Sequence, residues 1–276
     1  MAALAWRDIA AEVARDPDAF IDERDRRRLL AFTRRMFPKY REAPHHALIA
    51  EYLEAVARDD LDRLVAILPP RFGKSTLCSE HFPAWLIGNR PDSRVIGCSH
   101  TAQLAYHFSH RVRGLVENPL WPFPDVRIAK DEGAKSVWGI DGRRGGYVAA
   151  GVGGAITGFG ANVLLVDDAV KSAAEADSET LRDNAWEWFT GTALTRLEPH
   201  GSVVVVGTRW HEADLIGRVL NGTDSARWTV LHVPALSDDE VVYADVTLPL
   251  ALATRLGLVE GDVLPLADGR SRLRGR

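Results

Sequence analysis

The chain has few cysteines and no long apolar run. Only two of its 276 residues are cysteines, Cys78 and Cys98, which excludes a disulfide framework or a four-thiolate zinc site and predicts a reducing compartment. No apolar stretch approaches the roughly 18 residues that a membrane-spanning helix needs. The apolar part of the N-terminus is too short for the core of a signal peptide. We therefore expect no membrane association.

A strong excess of one charge is also missing. The chain carries 34 Lys and Arg against 38 Asp and Glu, for a net charge of −4. This balance excludes a chain that is basic throughout, although a local basic patch would still allow a nucleic-acid partner. With 46% hydrophobic and 26% charged residues, the composition is that of a globular protein and argues against disorder, collagen and coiled coil.

Short apolar runs alternate with helical patterns from residue 63 onward. The runs are 63–70, 93–100, 161–168, 201–208 and 227–234, and the helical patterns are 74–88, 101–117, 174–190 and 211–220. Runs that are apolar on both faces are typical of the inner strands of a parallel sheet. The alternation predicts an α/β fold with a doubly wound, mainly parallel sheet flanked by helices. The glycine-rich stretch 139–160 predicts a loop or a twisted hairpin at one edge of that sheet.

The strongest motif is LPPRFGKST, residues 68–76, between a predicted strand and a predicted helix. It resembles the phosphate loop G-x-x-x-x-G-K-[ST], with Leu68 where the first glycine belongs. In this motif Gly73 lets the backbone approach phosphates, Lys74 reaches the β and γ oxygens, and the Ser75 hydroxyl ligates Mg²⁺. Arg71 adds a second cation that can stabilise a transferring phosphoryl group. The predicted nucleotide-binding residues of the loop are Pro70, Arg71, Phe72, Gly73, Lys74, Ser75 and Thr76.

Two further strand ends carry matching chemistry. The run NVLLVDD places Asp167 and Asp168 at the carboxyl end of a predicted strand, where ligands bind in open α/β sheets. We expect Asp167 to hold Mg²⁺ and Asp168 to orient the attacking water. The run VVVVGTR ends in Thr208 and Arg209. Thr208 is predicted to sense the γ-phosphate, and Arg209 either to couple the nucleotide state to motion or to reach DNA.

Together these motifs resemble the ATPase half of the large terminase subunit of tailed bacteriophages and prophages. The residues that carry the resemblance lie between about 37 and 234 and include PPRFGKS, GVGGAITGFGANVLLVDD and GTRWHEADL. The resemblance implies a P-loop NTPase of the ASCE type that uses ATP and Mg²⁺ to drive double-stranded DNA into a procapsid.

The resemblance also implies roles for single residues. Lys74 and Ser75 match the nucleotide-binding lysine and the Mg²⁺ hydroxyl, Arg71 matches the arginine inside the family's loop, and Asp167 matches its metal-binding acid. Asp168 takes the place of the catalytic carboxylate, which in many terminases is a glutamate. Thr208 and Arg209 lie where the family has its coupling motif. The family also has an adenine-contacting segment upstream of the loop, in the region of Tyr40, His45 and His46.

Partners and location follow from the same resemblance. It implies double-stranded DNA, a portal protein and a small terminase subunit as partners, a homo-oligomeric ring on the portal, and the host cytoplasm as location. Two alternatives stay open: an inactive prophage remnant that only binds nucleotide, and a helicase-like P-loop ATPase. For the DNA contact we single out Arg143 and Arg144, because flexible glycines flank them and cations bind phosphates.

Three segments are predicted along the chain. Residues 1–42 form an N-terminal helical segment, 43–235 form the ATPase domain, and 236–276 form a linker or a partial C-terminal module. The family normally continues into an RNase H-like nuclease, which uses spaced carboxylates to hold two metal ions. That constellation is absent from this sequence, so we expect a truncated prophage gene, a split gene or an ATPase domain expressed by itself, and we assign no nuclease activity to the chain.

Overall fold

The computed structural model describes residues 17–130 and 135–234, together with three strands at 243–247, 263–265 and 270–273. The sequence predictions for residues 1–16, and for the parts of 236–276 outside those strands, lie outside the described residues. A search of the described residues for a helix long and apolar enough to cross a membrane finds none.

Three helices precede the sheet. They are α1 (Pro17–Arg27), α2 (Leu29–Met36) and α3 (Pro44–Ala57). The helix α3 begins at a proline, which suits the first helical position because its missing N–H would have no partner there. Leu29 and Phe32 of α2 are fully buried in the same core as Leu64 of the first strand. The described part of the N-terminal segment therefore packs directly against the α/β domain.

The elements that follow alternate between strand and helix. Strand β1 (Arg63–Ile67) leads through a loop into a π-helical turn (Thr76–His81) and α4 (Phe82–Asn89), followed by β2 (Arg94–Ser99), α5 (Ala102–Val116), β3 (Val137–Gly139), β4 (Gly146–Gly151) and β5 (Ala161–Asp167). Next come α6 (Ala173–Asp177), α7 (Glu179–Trp188), a second π-helical turn (Phe189–Ala193), a 3₁₀ turn (Leu194–Arg196), β6 (Leu197–Gly207), α8 (Leu215–Asn221), a 3₁₀ turn (Ser225–Arg227) and β7 (Thr229–His232). Strands β8 (Tyr243–Thr247), β9 (Val263–Pro265) and β10 (Arg270–Leu273) complete the described chain.

The strands form one sheet in the order β3-β4-β2-β5-β6-β1-β7-β8-β10-β9. The six strands from β4 to β7 are parallel to one another. Strand β6 lies between β1, which precedes the phosphate loop, and β5, which ends in the acidic pair. One strand is thus inserted between the two, and the predicted mainly parallel α/β sheet flanked by helices is confirmed.

The sheet is buried on both faces. Along β5, Val163 and Leu165 belong to the core cluster that includes the N-terminal helices, α4 and α5, whereas Leu164 and Val166 belong to the cluster on the other face. Side chains alternate between the faces of a strand, so Asp167 lies on the same face as Leu165. That face carries the helix that follows the phosphate loop.

At both edges the sheet contains strands beyond the five that the apolar runs predict. Strand β4 joins β2 in parallel, and β3 pairs with β4 in the antiparallel sense, which is the edge hairpin that the glycine-rich stretch allowed. At the other edge, β8 pairs antiparallel with β7, and β9 pairs antiparallel with β10.

Candidate active site

Three strand ends bring charged and hydroxyl side chains to one point. The Lys74 Nζ, from the loop after β1, lies 3.0 Å from Asp168 Oδ2, which follows β5. The same Nζ donates a hydrogen bond of 3.0 Å to Thr208 Oγ1, which follows β6. Asp168 and Thr208 follow Lys74 by 94 and 134 positions in the sequence. They meet it in space because the carboxyl ends of parallel strands lie at the same edge of the sheet.

The Lys74–Asp168 pair is shielded from water. The Lys74 side chain is 9% exposed and that of Asp168 is 27% exposed. A buried ammonium is costly without a countercharge, and Asp168 supplies it. The other oxygen of Asp168, Oδ1, accepts a hydrogen bond of 3.1 Å from Thr208 N. Asp168 therefore ties the phosphate-loop lysine to the end of β6.

Leu68, which stands where the motif has its first glycine, is paired as a residue of the sheet. Its amide donates to Gly207 O at 3.1 Å, and its carbonyl accepts from Thr208 Oγ1 at 3.0 Å. Leu68 is 1% exposed, so it extends β1 by one paired, buried residue. The turn begins later, with left-handed backbone at Arg71 (φ 66°) and Gly73 (φ 73°).

His46, in α3, hydrogen-bonds to the backbone of this turn. Its Nε2 lies 3.0 Å from Phe72 O, and its Nδ1 accepts from Ala43 N at 3.1 Å. Since Nδ1 is an acceptor, the proton of the neutral ring is on Nε2, which donates to Phe72 O. Burial, then the neighbouring His45, lower the pKa of His46 to about 4, so the ring is neutral at pH 7.

A cleft of about 360 Å³ opens beside the loop. Tyr40, His45 and His46, the three residues in the predicted adenine-contacting region, all line it, together with Arg71 and Phe72. Both ring nitrogens of His46 are already used. His45 uses Nε2 towards Phe72 O at 3.2 Å. Among the described residues its Nδ1 has no hydrogen-bond partner, so of the two histidines only His45 has a ring nitrogen to spare.

Asp167 is the most deeply buried acid of the site, at 1% exposure. Its Oδ2 accepts a hydrogen bond of 2.7 Å from Ser79 Oγ, whereas its Oδ1 is buried without a hydrogen-bond partner among the described residues. Burial and the nearby Asp168 raise the pKa of Asp167 to about 6, and the Ser79 and Ser75 hydroxyls and Lys74 oppose that shift. A buried, unpartnered carboxylate oxygen beside a hydroxyl fits Mg²⁺, a cation that prefers oxygen ligands.

One family is matched by most of the chain. Residues 65–257 match the family described as terminase large subunit, T4likevirus-type, N-terminal, which is more than half of the sequence. The chain belongs to the large terminase subunit family. None of the curated proteins compared with the chain matches it.

Solved structures of large terminases resemble this terminase chain at low identity. The HK97 bacteriophage large terminase is 14% identical, with a TM-score of 0.49, over 78% of this chain and 45% of that one. A large terminase of a thermophilic bacteriophage in complex with ATP-gamma-S is 13% identical, with a TM-score of 0.42, over 67% and 46% of the two chains. This terminase chain thus spans less than half the length of those structures.

Arg71 and Arg209 lie in different surroundings in this terminase chain. Arg71 is exposed at the tip of the loop, and within 17–130 and 135–234 it has no ion-pair partner. Arg209 is held by Asp214, at 3.3 Å from Nε to Oδ1. Asp214 also accepts from Trp210 N and from Gly217 N, so it shapes the loop after β6 and caps α8.

Sequence reasoning missed two residues of the candidate site. Asp214 precedes an apolar helical run, which is the N-cap pattern, so its capping role was readable. Its cap also explains why α8 begins at Leu215 rather than near residue 211. Ser79, the partner of Asp167, carries no such signal, because it stands among apolar residues of the helical pattern.

The predicted DNA residues lie far from this site. Arg143 and Arg144 lie in the turn before β4, at the amino end of the parallel strands. Arg143 is 3.7 Å from Asp92. The two glycines that follow them are packed tightly, since a Cβ on Gly145 would lie 2.2 Å from Pro91 O and one on Gly146 2.3 Å from Trp138 O, whereas a Cβ on Gly142, which precedes them, would meet open space. Close backbone packing therefore accounts for Gly145 and Gly146, and the DNA contact of Arg143 and Arg144 stays a prediction.

Proposed function

We propose that this chain binds ATP with Mg²⁺ and hydrolyses it. The observation that carries the proposal is the meeting of Lys74, Asp168 and Thr208 at the carboxyl edge of the sheet, where Lys74 Nζ lies 3.0 Å from both Asp168 Oδ2 and Thr208 Oγ1. A cation, a carboxylate and a hydroxyl at the end of a phosphate loop are the groups that phosphoryl transfer needs.

The roles of these residues follow from their positions. The phosphates of ATP take the place of Asp168 as partners of the Lys74 ammonium. Asp168, still fixed through Oδ1 to Thr208 N, then turns its freed Oδ2 to a water molecule and orients it for attack on the γ-phosphorus. Thr208, bonded to Leu68 O, links the occupied state of the loop to the end of β6.

Asp167 and Ser75 are the proposed holders of Mg²⁺. Mg²⁺ neutralises the charge that develops on the phosphate oxygens during transfer. The unpartnered Oδ1 of Asp167 and the Ser75 hydroxyl, which is close enough to oppose the raised pKa of Asp167, support this assignment. Arg71, at the exposed tip of the loop, remains the candidate for a cation that reaches the γ-phosphate.

Substitution of Lys74 tests ATP hydrolysis. Lys74→Ala should lower steady-state phosphate release by at least about 100-fold, while circular dichroism shows an intact fold. Lys171→Ala is the matched control, because Lys171 is an exposed lysine three residues beyond Asp168 and its loss should change turnover by less than about twofold. Unchanged turnover in Lys74→Ala would refute the assignment of this site.

We further propose that hydrolysis drives double-stranded DNA into a procapsid, with the chain acting in a homo-oligomeric ring. The family match to the N-terminal part of the large terminase subunit supports this motor role. A portal protein and a small terminase subunit are the proposed protein partners, and the host cytoplasm is the proposed location.

DNA-stimulated turnover tests the motor role. Phosphate release should increase when double-stranded DNA is added, without separation of its strands. Nucleotide binding with no phosphate release would instead support an inactive remnant, and strand separation would support a helicase-like ATPase.

A further inference from the structure

The hydroxyl of Ser79 reaches the base of the candidate metal site. Ser79 lies in the π-helical turn after the phosphate loop and is 1% exposed. Its Oγ donates to Asp167 Oδ2 at 2.7 Å, across 88 positions of the chain. Ser79 is outside the phosphate-loop motif, and the function proposed above gives it no role.

The π-helical turn that carries Ser79 is itself fixed. The side chain of His81 hydrogen-bonds through Nδ1 to Thr76 O at 2.8 Å, so the last residue of the turn is tied to the first. Phe82 N closes the turn on Leu77 O. The backbone that carries Ser79 is therefore held in place by hydrogen bonds at both ends of the turn.

The two oxygens of Asp167 are in unequal surroundings because of this bond. Oδ2 is occupied by Ser79, and Oδ1 is buried without a hydrogen-bond partner among the described residues. A carboxylate held through one oxygen has its second oxygen aimed in one direction. Hydrogen bonds of this kind, from residues behind a ligand, orient metal ligands and tune their affinity.

We propose that Ser79 is a positioning residue for the metal ligand Asp167: its hydroxyl holds Oδ2 so that Oδ1 faces the Mg²⁺ that accompanies the nucleotide. This inference rests on the proposed function of the site. Ser79 touches neither nucleotide nor metal in this arrangement and acts only through the orientation of Asp167.

Manganese binding separates this role from simple packing. Mn²⁺ replaces Mg²⁺ as a probe, and electron paramagnetic resonance measures free Mn²⁺ in the presence of the full chain and ADP. Ser79→Ala should weaken Mn²⁺ binding about tenfold. The affinity for ADP in the presence of EDTA should stay within about twofold of the wild-type value, because the loop that holds the phosphates is unchanged.

Ser99 offers a matched control. It lies beside Asp167 in the register of β2 and β5 and is 0% exposed, yet its Oγ has no hydrogen-bond partner in the described ranges. Ser99→Ala removes the same hydroxyl from the same neighbourhood and should leave Mn²⁺ binding unchanged. Ser79→Cys, which keeps most of the volume but donates weakly, should show a smaller loss than Ser79→Ala, and it replaces that variant if the alanine protein does not fold.

The outcomes are distinct. Wild-type Mn²⁺ affinity in Ser79→Ala and Ser79→Cys, or an equal loss in Ser99→Ala, would overturn the role of Ser79 and leave the nucleotide site standing. A wild-type chain that binds neither ADP nor Mn²⁺ would overturn the proposed function and the role of Ser79 with it.

Discussion

Two turns of this molecule combine arginine with glycine, and they differ in what the glycine does. In the phosphate loop, Arg71 and Gly73 both have left-handed backbone, and a Cβ on Gly73 would lie 2.6 Å from His46 Nε2. In the turn before β4, Gly145 and Gly146 lie against the backbone of Pro91 and Trp138. The first glycine shapes a site, whereas the second pair brings strands together.

The charges of the two turns differ as well. Lys74 is buried, and its ammonium is held by Asp168 and Thr208. Arg143 is 47% exposed and faces an Asp92 that is 61% exposed, at 3.7 Å. Exposed pairs of this length contribute little to stability because water screens them. The ammonium of Lys74 is therefore held in one geometry by its partners, while the guanidinium of Arg143 is exposed and can bind a partner.

The largest expected effect is on ATP turnover when the carboxylate of Asp168, the partner of Lys74, is replaced. Asp168→Asn should lower ATP turnover by about 1000-fold, because the amide cannot accept the proton that leaves the attacking water. Affinity for a fluorescent ATP analogue should change far less, since Lys74 and the loop remain. A loss of binding equal to the loss of turnover would place Asp168 in the binding of nucleotide instead.

A smaller effect, on the free energy of unfolding, is expected when glycines with left-handed backbone are replaced by alanine. Gly73→Ala should lower the free energy of unfolding by about 2–3 kcal/mol, because the left-handed backbone costs about 1–2 kcal/mol for alanine and the methyl group also collides with His46. Gly142→Ala is the control, since Gly142 has φ 65° and open space around the added Cβ. Urea unfolding of both variants measures the difference; equal losses would mean that His46 yields to the methyl group.

The raised pKa of the buried Asp167 should lower the free energy of unfolding at neutral pH. Asp167 has a pKa of about 6 in the folded chain against an ordinary 3.8, so the folded state holds its proton more tightly than the unfolded state. The resulting destabilisation is absent below about pH 4, grows as pH rises through about 6 and is complete above that.

Asp167→Asn should remove this penalty. Without nucleotide or metal, the variant should be more stable than wild type by about 1–3 kcal/mol at pH 7.5 and by much less at pH 4.5. Unfolding at the two pH values gives the comparison. An equal gain at both would assign the effect to packing rather than to ionisation.

The smallest effect is expected at the exposed turn. Replacing both Arg143 and Arg144 with alanine should leave basal ATP turnover unchanged, because they lie about 20 Å from the site, the length of a six-residue strand. If they contact DNA, the slope of log binding constant against log salt concentration should become shallower by the equivalent of about two phosphate contacts. Arg227→Ala, which removes another exposed, ion-paired arginine, is the control, and an equal loss there would exclude a specific role for the turn.

Much of the fold was predictable because it depends on local patterns. Runs such as Val163–Val166 are apolar on both faces, and they became inner strands of the sheet. The loop after β1 and the acids after β5 were expected to meet, since parallel strands end at one edge, and Lys74 and Asp168 do meet. The hydrogen bond from Ser79 to Asp167 was not predictable, because it depends on a π-helical turn that no sequence period marks.

The sequence alone determined which residues can do chemistry here: a phosphate loop, an acidic pair and a hydroxyl after a third strand. The tertiary structure decided their partners. It placed Lys74 on Asp168, closed both ring nitrogens of His46 on the loop backbone, and set Arg143 at the opposite end of the sheet. The physical reason is that a side chain's type is local, whereas its burial, pKa and partners depend on strand order and register, which join residues far apart in the chain.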